Sequence, residues 1–137
     1  MKRHSTAIWN GTGKEGNGTL TSQSTVLNKT QYSFSSRFEE GIGTNPEELL
    51  AAAHAGCYTM KLSFLITAAG LTPEQLETRC DISLESGVIT KSELQVKGKV
   101  AGMSAEDFKK LAEQANAECL IGKNFVCEKV LVSAELV

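Results

Sequence analysis

The longest helix of this chain is predicted from residues 45–57, which read NPEELLAAAHAGC. Asn45 is placed to cap this helix, Pro46 suits its first position, and Glu48 stands where a capping box requires an acid. Small residues then lead up to Cys57, so its sulfur has room that a cysteine among large side chains lacks. The stretch therefore predicts a helix that carries an accessible thiol.

The same helix is predicted to continue to residue 69 and to be buried on all sides. Beyond Cys57, apolar residues fall on nearly every helical face, and a helix that is apolar all round is normally buried all round. Gly70 supplies a stop signal, and Pro73 prevents the helix from continuing.

Cys57 is the candidate nucleophile. The thiolate, rather than the thiol, is the reactive form, and a helix start, a nearby cation or a histidine increases its reactivity. His54 precedes Cys57 by about one helical turn. The alternative is that Cys57 is a small core residue, since a cysteine in an apolar helix is often inert. For His54, packing is favoured over a hydrogen bond to the site.

Length and charge limit the classes of protein to consider. A chain of 137 residues fits one domain, residues 1–137, whose core a dimer interface would enlarge. The net charge of −2 argues against nucleic acid as a partner. No apolar region follows the basic N-terminus, and no eighteen apolar residues run uninterrupted. We therefore expect a cytoplasmic protein with no signal peptide, no transmembrane helix and no membrane partner.

The four cysteines are Cys57, Cys80, Cys119 and Cys127, and they form no C-x-x-C pair. Together with only two histidines, this argues against a structural metal. A permanent disulfide framework is equally unexpected in a cytoplasmic chain, so any cysteine pair that bonds should be catalytic or redox-sensing.

The first forty residues predict a three-stranded antiparallel meander without helices. Short β-prone runs at residues 6–9, 18–24 and 32–38 alternate with turn residues. Residues 11–16 match G-x-G-x-x-G literally, but a β-prone run rather than a helix follows them. We interpret this motif as a hairpin loop.

The second half predicts two strands, a helix and a last strand. Apolar and polar residues alternate over residues 76–85 and 93–100, which predicts an antiparallel sheet with one wet face and Cys80 as a structural thiol on the other. Ser104 caps a helix whose apolar stripe ends at Cys119, which therefore points inward. Residues 126–136 predict the last strand, with Cys127 out of phase.

The chain resembles the OsmC/Ohr family, osmotically inducible protein C and organic hydroperoxide resistance protein, over essentially its whole length. The most specific match is residues 43–49, GTNPEEL, followed by residues 51–57, AAAHAGC. Supporting matches are IWNG at 8–11, GT at 18–19, VLN at 26–28, YSF at 32–34 and RFE at 37–39. Trp9, His54 and the pair Arg37-Phe38 make the chain more similar to the OsmC branch than to Ohr.

The resemblance implies an α+β fold, with antiparallel sheets around buried central helices, in an intertwined homodimer with two active sites at the subunit interface. It implies reduction of organic hydroperoxides in oxidative or osmotic stress defence. Cys57 would match the peroxidatic cysteine, Cys119 the resolving cysteine, Glu47 the acid and Arg37 the arginine of this branch. The reductant would be a dithiol such as a lipoylated protein, with no metal, haem or flavin cofactor.

Arg37 and Glu47 have roles that suit this chemistry. A guanidinium stabilises both the thiolate and the charge developing on the O–O group, and a carboxylate anchors its planar fork. An acid in a first helical turn and an arginine on a strand surface are also common without any such role. About 15 Å of rise would separate Glu47 from Cys57 on a continuous helix. We therefore expect either a helix break near residues 53–56, the favoured alternative, or action through different subunits.

The chain departs from the family pattern at the second cysteine. The family commonly has Cys-Pro there, whereas this chain has Cys119-Leu120. Losing the proline frees a φ angle and restores a backbone donor, which raises the question of how firmly Cys119 is held. Cys127 is the less favoured alternative as resolving cysteine.

Two other functions compete with peroxide reduction. One is acyl transfer or hydrolysis, with Cys57 as nucleophile, His54 as base and Glu47 as the residue that orients the base; it gives Cys119 no role. The other is a non-catalytic module that binds an apolar ligand between two central helices of a dimer. That module would tolerate replacement of Cys57.

Overall fold

The computed structural model describes residues 1–124 and 129–137. They form two compact units, residues 1–49 and residues 50–137, here called unit 1 and unit 2. That residues 1–137 act as a single domain, and that the chain is a homodimer, stay predictions.

Unit 1 contains the predicted meander. Strands β1 (Ser5–Asn10), β2 (Asn17–Ser22) and β3 (Thr30–Ser33) pair antiparallel in the order β1-β2-β3. The G-x-G-x-x-G motif is the β1–β2 hairpin loop, as predicted. Gly11 adopts a φ of 90° there, a conformation that favours glycine.

The expectation of a strand through residue 38 was wrong, because helix α1 (Phe34–Phe38) follows β3. The Ser33 hydroxyl accepts from the N–H of Ser36 at 3.1 Å, and the Ser36 hydroxyl accepts from the N–H of Ser33 at 2.8 Å. This is a reciprocal capping box in which serine replaces the usual Glu or Gln. The sequence signal was missed for that reason.

Helix α2 spans Pro46–Ala68 without interruption, so the favoured break near residues 53–56 was wrong. The Asn45 side chain caps it by accepting from the N–H of Glu48 at 2.8 Å. Gly70, with a φ of 83°, ends it as predicted. Gly56 lies in the helix interior, where a glycine lowers stability relative to alanine without breaking the helix.

The prediction that this helix is buried on all sides was also wrong for the single chain. Only one stripe is buried: His54, Tyr58, Leu62 and Ile66, at four-residue spacing. Met60 and Phe64 are 60% and 65% exposed. The reason is that the rest of the unit 2 core packs against one face of α2, and the apolar residues of another face stay uncovered.

By length and composition α2 is also apolar enough to cross a membrane, with a mean hydropathy of 1.3 over an 18-residue window. The core helix of a soluble protein passes the same test. Since the buried stripe of α2 packs within a protein core, this finding is weak evidence for a membrane span.

Unit 2 is built on a mixed sheet rather than the antiparallel sheet expected. Strands β4 (Gln75–Glu85) and β5 (Val88–Lys99) pair antiparallel, as predicted, but β6 (Lys129–Leu136) pairs parallel to β5. A parallel pair needs a long crossover, and the chain between β5 and β6 contains the helices described next. Residues 126–128 of the expected last strand, including Cys127, lie outside the described residues.

Helices α3 (Ala105–Glu118) and α4 (Leu120–Lys123) lie between β5 and β6 in the chain. The Ser104 side chain caps α3 as predicted. The predicted stripe faces inward, and Cys119 at its end is fully buried. The core of unit 2 combines α2, α3 and the sheet through Tyr58, Leu62, Ile66, Leu94, Val96, Val100, Phe108, Ala112, Ala115 and Cys119.

Candidate active site

Two of the cysteines meet in unit 2. Cys57 lies on α2 and is half-buried, whereas Cys119 lies between α3 and α4 and is fully buried. Both are free thiols, and they lie close enough for Cys57 to affect the titration of Cys119. Burial raises the pKa of the Cys119 thiol, and the neighbouring Cys57 raises it further. Both effects favour the neutral form of the Cys119 thiol.

The turn that holds Cys119 is well defined without a proline. The Cys119 sulfur caps α4 by accepting from the N–H of Gly122 at 3.4 Å. The Cys119 carbonyl accepts from the N–H of Lys123 at 2.9 Å. Leu120 occupies the first position of α4, where a proline would also be tolerated. The short helix thus provides the restraint that the family's proline would supply.

His54 lies fully buried in the core of unit 2. Its Nδ1 is 2.7 Å from the Ser92 hydroxyl, which is itself 3.3 Å from the Cys80 sulfur. Burial lowers the pKa of His54, which favours the neutral imidazole. Packing was the favoured role for His54, and the structure adds a hydrogen bond to a core serine.

Ser92 is a residue that the sequence reasoning missed. It is fully buried on β5, in phase with Leu94 and Val96 on the apolar face. A polar residue in phase with apolar ones was the available signal, because a buried hydroxyl needs a partner. Cys80 packs against the core, as predicted. Burial raises the pKa of its thiol, and the hydrogen bond with Ser92 lowers it by a smaller amount.

Tyr58 links α2 to α3 next to the thiols. Its hydroxyl donates to the carbonyl of Ala112 at 3.2 Å. Burial raises the pKa of Tyr58 far above its usual value, and negative charge on Cys119 adds to this. The phenol therefore stays protonated and serves as a fixed donor between the two helices.

Unit 1 contains the predicted pair of Arg37 and Glu47. The Arg37 Nε donates to the two carboxylate oxygens of Glu47 at 2.9 and 3.2 Å, and Nη2 donates to Oε1 at 2.6 Å. The ring of Phe38 lies beneath the guanidinium, with its centroid 4.9 Å from the Arg37 Cζ. These contacts fix the plane of the guanidinium at the surface of unit 1.

The ion pair shifts the pKa values of both members. Burial alone would raise the pKa of Glu47, but the hydrogen bond from Arg37 and the Glu47 N–H bring it below its usual value. The hydrogen bond to Glu47 raises the pKa of Arg37 in turn. Arg37 keeps 41% of its side chain exposed, against 15% for Glu47. The guanidinium is thus more exposed than the carboxylate that holds it.

The sequence allowed two ways for Glu47 and Cys57 to serve one site: a break in the helix, or action through different subunits. Because α2 is unbroken, only the second alternative is left. Their separation along the helix corresponds to about 15 Å of rise. Action through different subunits is the alternative that stays a prediction.

Each unit has a concave surface, and the one in unit 1 includes a candidate residue. In unit 1, a cavity of about 100 Å³ lies beside Arg37. Its aromatic lining consists of Trp9, Tyr32, Phe34 and Phe38. In unit 2, an open groove of about 610 Å³ is lined by residues of α2 around Gly56 and Met60 and by the start of β4. Within residues 1–124 and 129–137, no group of three or more His, Cys, Asp or Glu could hold a metal ion.

Comparison with known proteins identifies the family of this chain. The family model for OsmC-like protein matches residues 39–133. Peroxiredoxin OsmC of Escherichia coli (strain K12) is 40% identical over 129 residues, covering 91% of this chain and 90% of that protein.

Solved structures show the same fold at lower identity. The OsmC-like protein from Mycoplasma pneumoniae has a TM-score of 0.78 at 16% identity, over 100% of this chain and 98% of that one. The organic hydroperoxide resistance protein OhrB of Bacillus subtilis has a TM-score of 0.67 at 21% identity, over 98% of both chains. From its match to the family model and its likeness to the Escherichia coli protein, the chain belongs to the OsmC family.

Proposed function

We propose that the chain is a Cys-based peroxidase that reduces organic hydroperoxides to alcohols, with Cys57 as peroxidatic and Cys119 as resolving cysteine. The observation that carries this proposal is that the two thiols are neighbours in unit 2, where Cys57 packs against the core that contains the buried Cys119. The relatives supply the substrate class, since one is named a peroxiredoxin and another an organic hydroperoxide resistance protein.

In the first step the Cys57 thiolate attacks the distal oxygen of the hydroperoxide. An S–O bond forms, the O–O bond breaks, and the alkoxide leaves and takes up a proton to become the alcohol. Cys57 becomes a sulfenic acid, which is two electrons more oxidised than the thiolate. Its half-buried position on α2 gives this sulfur the access that the step requires.

In the second step the Cys119 sulfur attacks the sulfenic sulfur of Cys57. An S–S bond forms, the S–O bond breaks, and the hydroxyl leaves as water with the proton of the Cys119 thiol. A dithiol then reduces the disulfide by exchange and returns both thiols, becoming a disulfide itself. A lipoylated protein is the reductant of this kind that we propose.

Arg37 and Glu47 act in the first step by electrostatic stabilisation. The exposed guanidinium stabilises the Cys57 thiolate and the negative charge on the leaving oxygen. We assign this role across a homodimer, in which the pair of one subunit serves the thiols of the other. The exposed apolar side chains of α2, Met60 and Phe64, are surface that such a dimer would cover.

The surroundings of Arg37 favour an organic substituent on the peroxide. The cavity beside it is lined by aromatic rings, which would contact an apolar group while the guanidinium contacts the O–O group. We place this activity in the cytoplasm, in defence against oxidative or osmotic stress.

The contacts of the candidate residues argue against acyl transfer. Glu47 is bound by Arg37, and the Nδ1 of His54 is bound by Ser92. Neither contact forms the nucleophile, base and orienting acid that such chemistry needs.

The test is turnover of cumene hydroperoxide with dihydrolipoamide as reductant, for the wild type and Cys57→Ser. We expect turnover in the wild type and none in the variant, with circular dichroism showing that both fold. Undiminished turnover in Cys57→Ser would refute the assignment, and ligand binding without turnover in either protein would support the binding module instead.

A further inference from the structure

A contact beneath the thiol pair has no assigned role: the approach of Gly122 to His54. A Cβ built on Gly122 would lie 2.9 Å from the His54 Nε2, 3.5 Å from the Cys119 Cβ and 3.6 Å from the Cys119 sulfur. Real Cβ atoms essentially never approach other atoms closer than 3.0 Å. The backbone at Gly122 therefore approaches the imidazole too closely for even a methyl side chain to fit without a shift, and it lies next to the proposed resolving thiol.

His54 is a fixed surface for this contact. It is fully buried, and the Ser92 hydroxyl holds its Nδ1 at 2.7 Å. Ser92 is also fully buried, on the central strand of the unit 2 sheet. The imidazole therefore cannot turn or retreat without breaking a buried hydrogen bond, which is unfavourable because it leaves a buried polar group without its partner.

Gly122 connects the fixed imidazole of His54 to the sulfur of Cys119. Its N–H donates to the Cys119 sulfur at 3.4 Å. This hydrogen bond restrains the direction of the sulfur, while the close approach of Gly122 to His54 limits how far the turn enters the core. His54 also lies on α2 about one turn before Cys57, so one helix positions both partners of the disulfide.

We propose that His54, Ser92 and Gly122 are positioning residues for the resolving step, which hold the Cys119 sulfur facing Cys57. This inference rests on the proposed function. In the step concerned, Cys119 loses its proton and forms the S–S bond as the hydroxyl of the Cys57 sulfenic acid leaves as water. These residues act by shortening the life of the sulfenic acid, and they leave its formation unchanged.

The experiment follows the two steps separately after one equivalent of cumene hydroperoxide. Dimedone trapping with mass spectrometry gives the rate of sulfenic acid formation, and peptide mapping gives the rate of the Cys57–Cys119 disulfide. The variants are Gly122→Ala, which places a methyl group against His54, and Ser92→Ala, which removes the hydroxyl bound to the His54 Nδ1 with little change in volume. Lys123→Ala, an exposed position on the same short helix, is the matched control.

We expect Gly122→Ala and Ser92→Ala to form the sulfenic acid at the wild-type rate but the disulfide at least about tenfold more slowly. Both should accumulate sulfinic acid at Cys57 with excess peroxide, and Lys123→Ala should behave as the wild type.

Disulfide formation at the wild-type rate in folded Gly122→Ala would overturn the proposal. Should Gly122→Ala fail to fold, as judged by thermal unfolding, the Ser92→Ala rate decides in the same way. Absence of sulfenic acid in the wild type itself would refute the proposed function rather than this inference.

Discussion

The thiol pair of unit 2 and the ion pair of unit 1 are held in opposite ways. Cys119 is fully buried and is positioned by a backbone N–H group and packing. Arg37 is 41% exposed and is positioned by a bidentate carboxylate and an aromatic ring. Buried thiols need no charged partner to stay neutral, whereas a guanidinium must keep contact with water or with a ligand.

This difference separates two requirements of peroxide reduction. In the proposed mechanism, the disulfide needs two neighbouring sulfur atoms, and both thiols belong to unit 2. Stabilisation of a leaving oxygen needs a positive charge that can face the substrate, and we propose that the exposed guanidinium of Arg37 provides it. Substitutions that weaken the thiol pair or the ion pair separately should therefore affect different steps.

Removing the resolving thiol should have the largest effect. One equivalent of organic hydroperoxide should give the wild type an intramolecular disulfide between Cys57 and Cys119 in peptide maps. Cys119→Ser should form no such disulfide and should stall at the Cys57 sulfenic acid. Excess peroxide should then oxidise this persistent sulfenic acid to sulfinic acid, which is irreversible for most proteins. A Cys57–Cys127 bond, or unchanged turnover in Cys119→Ser, would show that another group resolves the sulfenic acid.

Weakening the ion pair should have a smaller effect that is confined to the first step. Arg37→Ala should lower kcat/KM for cumene hydroperoxide about 10²-fold, as loss of a donor to a developing oxyanion does. Arg37→Lys should lose less, because a point charge keeps part of the attraction without the planar fork. Disulfide formation from a preformed sulfenic acid should not change in either variant. Equal kcat/KM in all three proteins would make Arg37 an ordinary surface residue.

Local signals in the sequence predicted most of the fold. The start and end of α2, at Asn45 and Gly70, and the start of α3, at Ser104, were predicted correctly. Helix caps and stop signals can be predicted because they depend on neighbouring residues only. The alternation in β4 and β5 predicted their shared apolar face. The capping box of α1 was missed because its third residue is serine.

Features that depend on contacts between distant residues were not predictable in the same way. Parallel pairing of β6 depends on how α3 and α4 cross over the sheet, which alternation does not reveal. The exposed face of α2 reflects the limited partner surface within one chain. An apolar composition gives no information about whether a second subunit covers that face.

In the candidate site, too, the contacts between distant residues were not predicted from the sequence. The roles of Cys57, Cys119, Arg37 and Glu47 came from the family resemblance rather than from spacing. Ser92 and Gly122 were missed because their contacts cross from β5 to α2 and from α4 to α2.

The smallest expected effect is the pH dependence that the ion pair adds to stability. The pKa of Glu47 is below its ordinary 4.5 in the folded chain, so the folded state binds the Glu47 proton less readily than the unfolded state. This stabilisation is fully present above pH about 4.5 and is lost as the pH falls through the folded pKa. Since Arg37 is partly exposed, we expect no more than about 1 kcal/mol. Urea unfolding between pH 3 and 7 should show Glu47→Gln less stable than the wild type at neutral pH. The two curves should converge toward pH 3, and a constant offset between them would mean that the charge of Glu47 contributes nothing to folding.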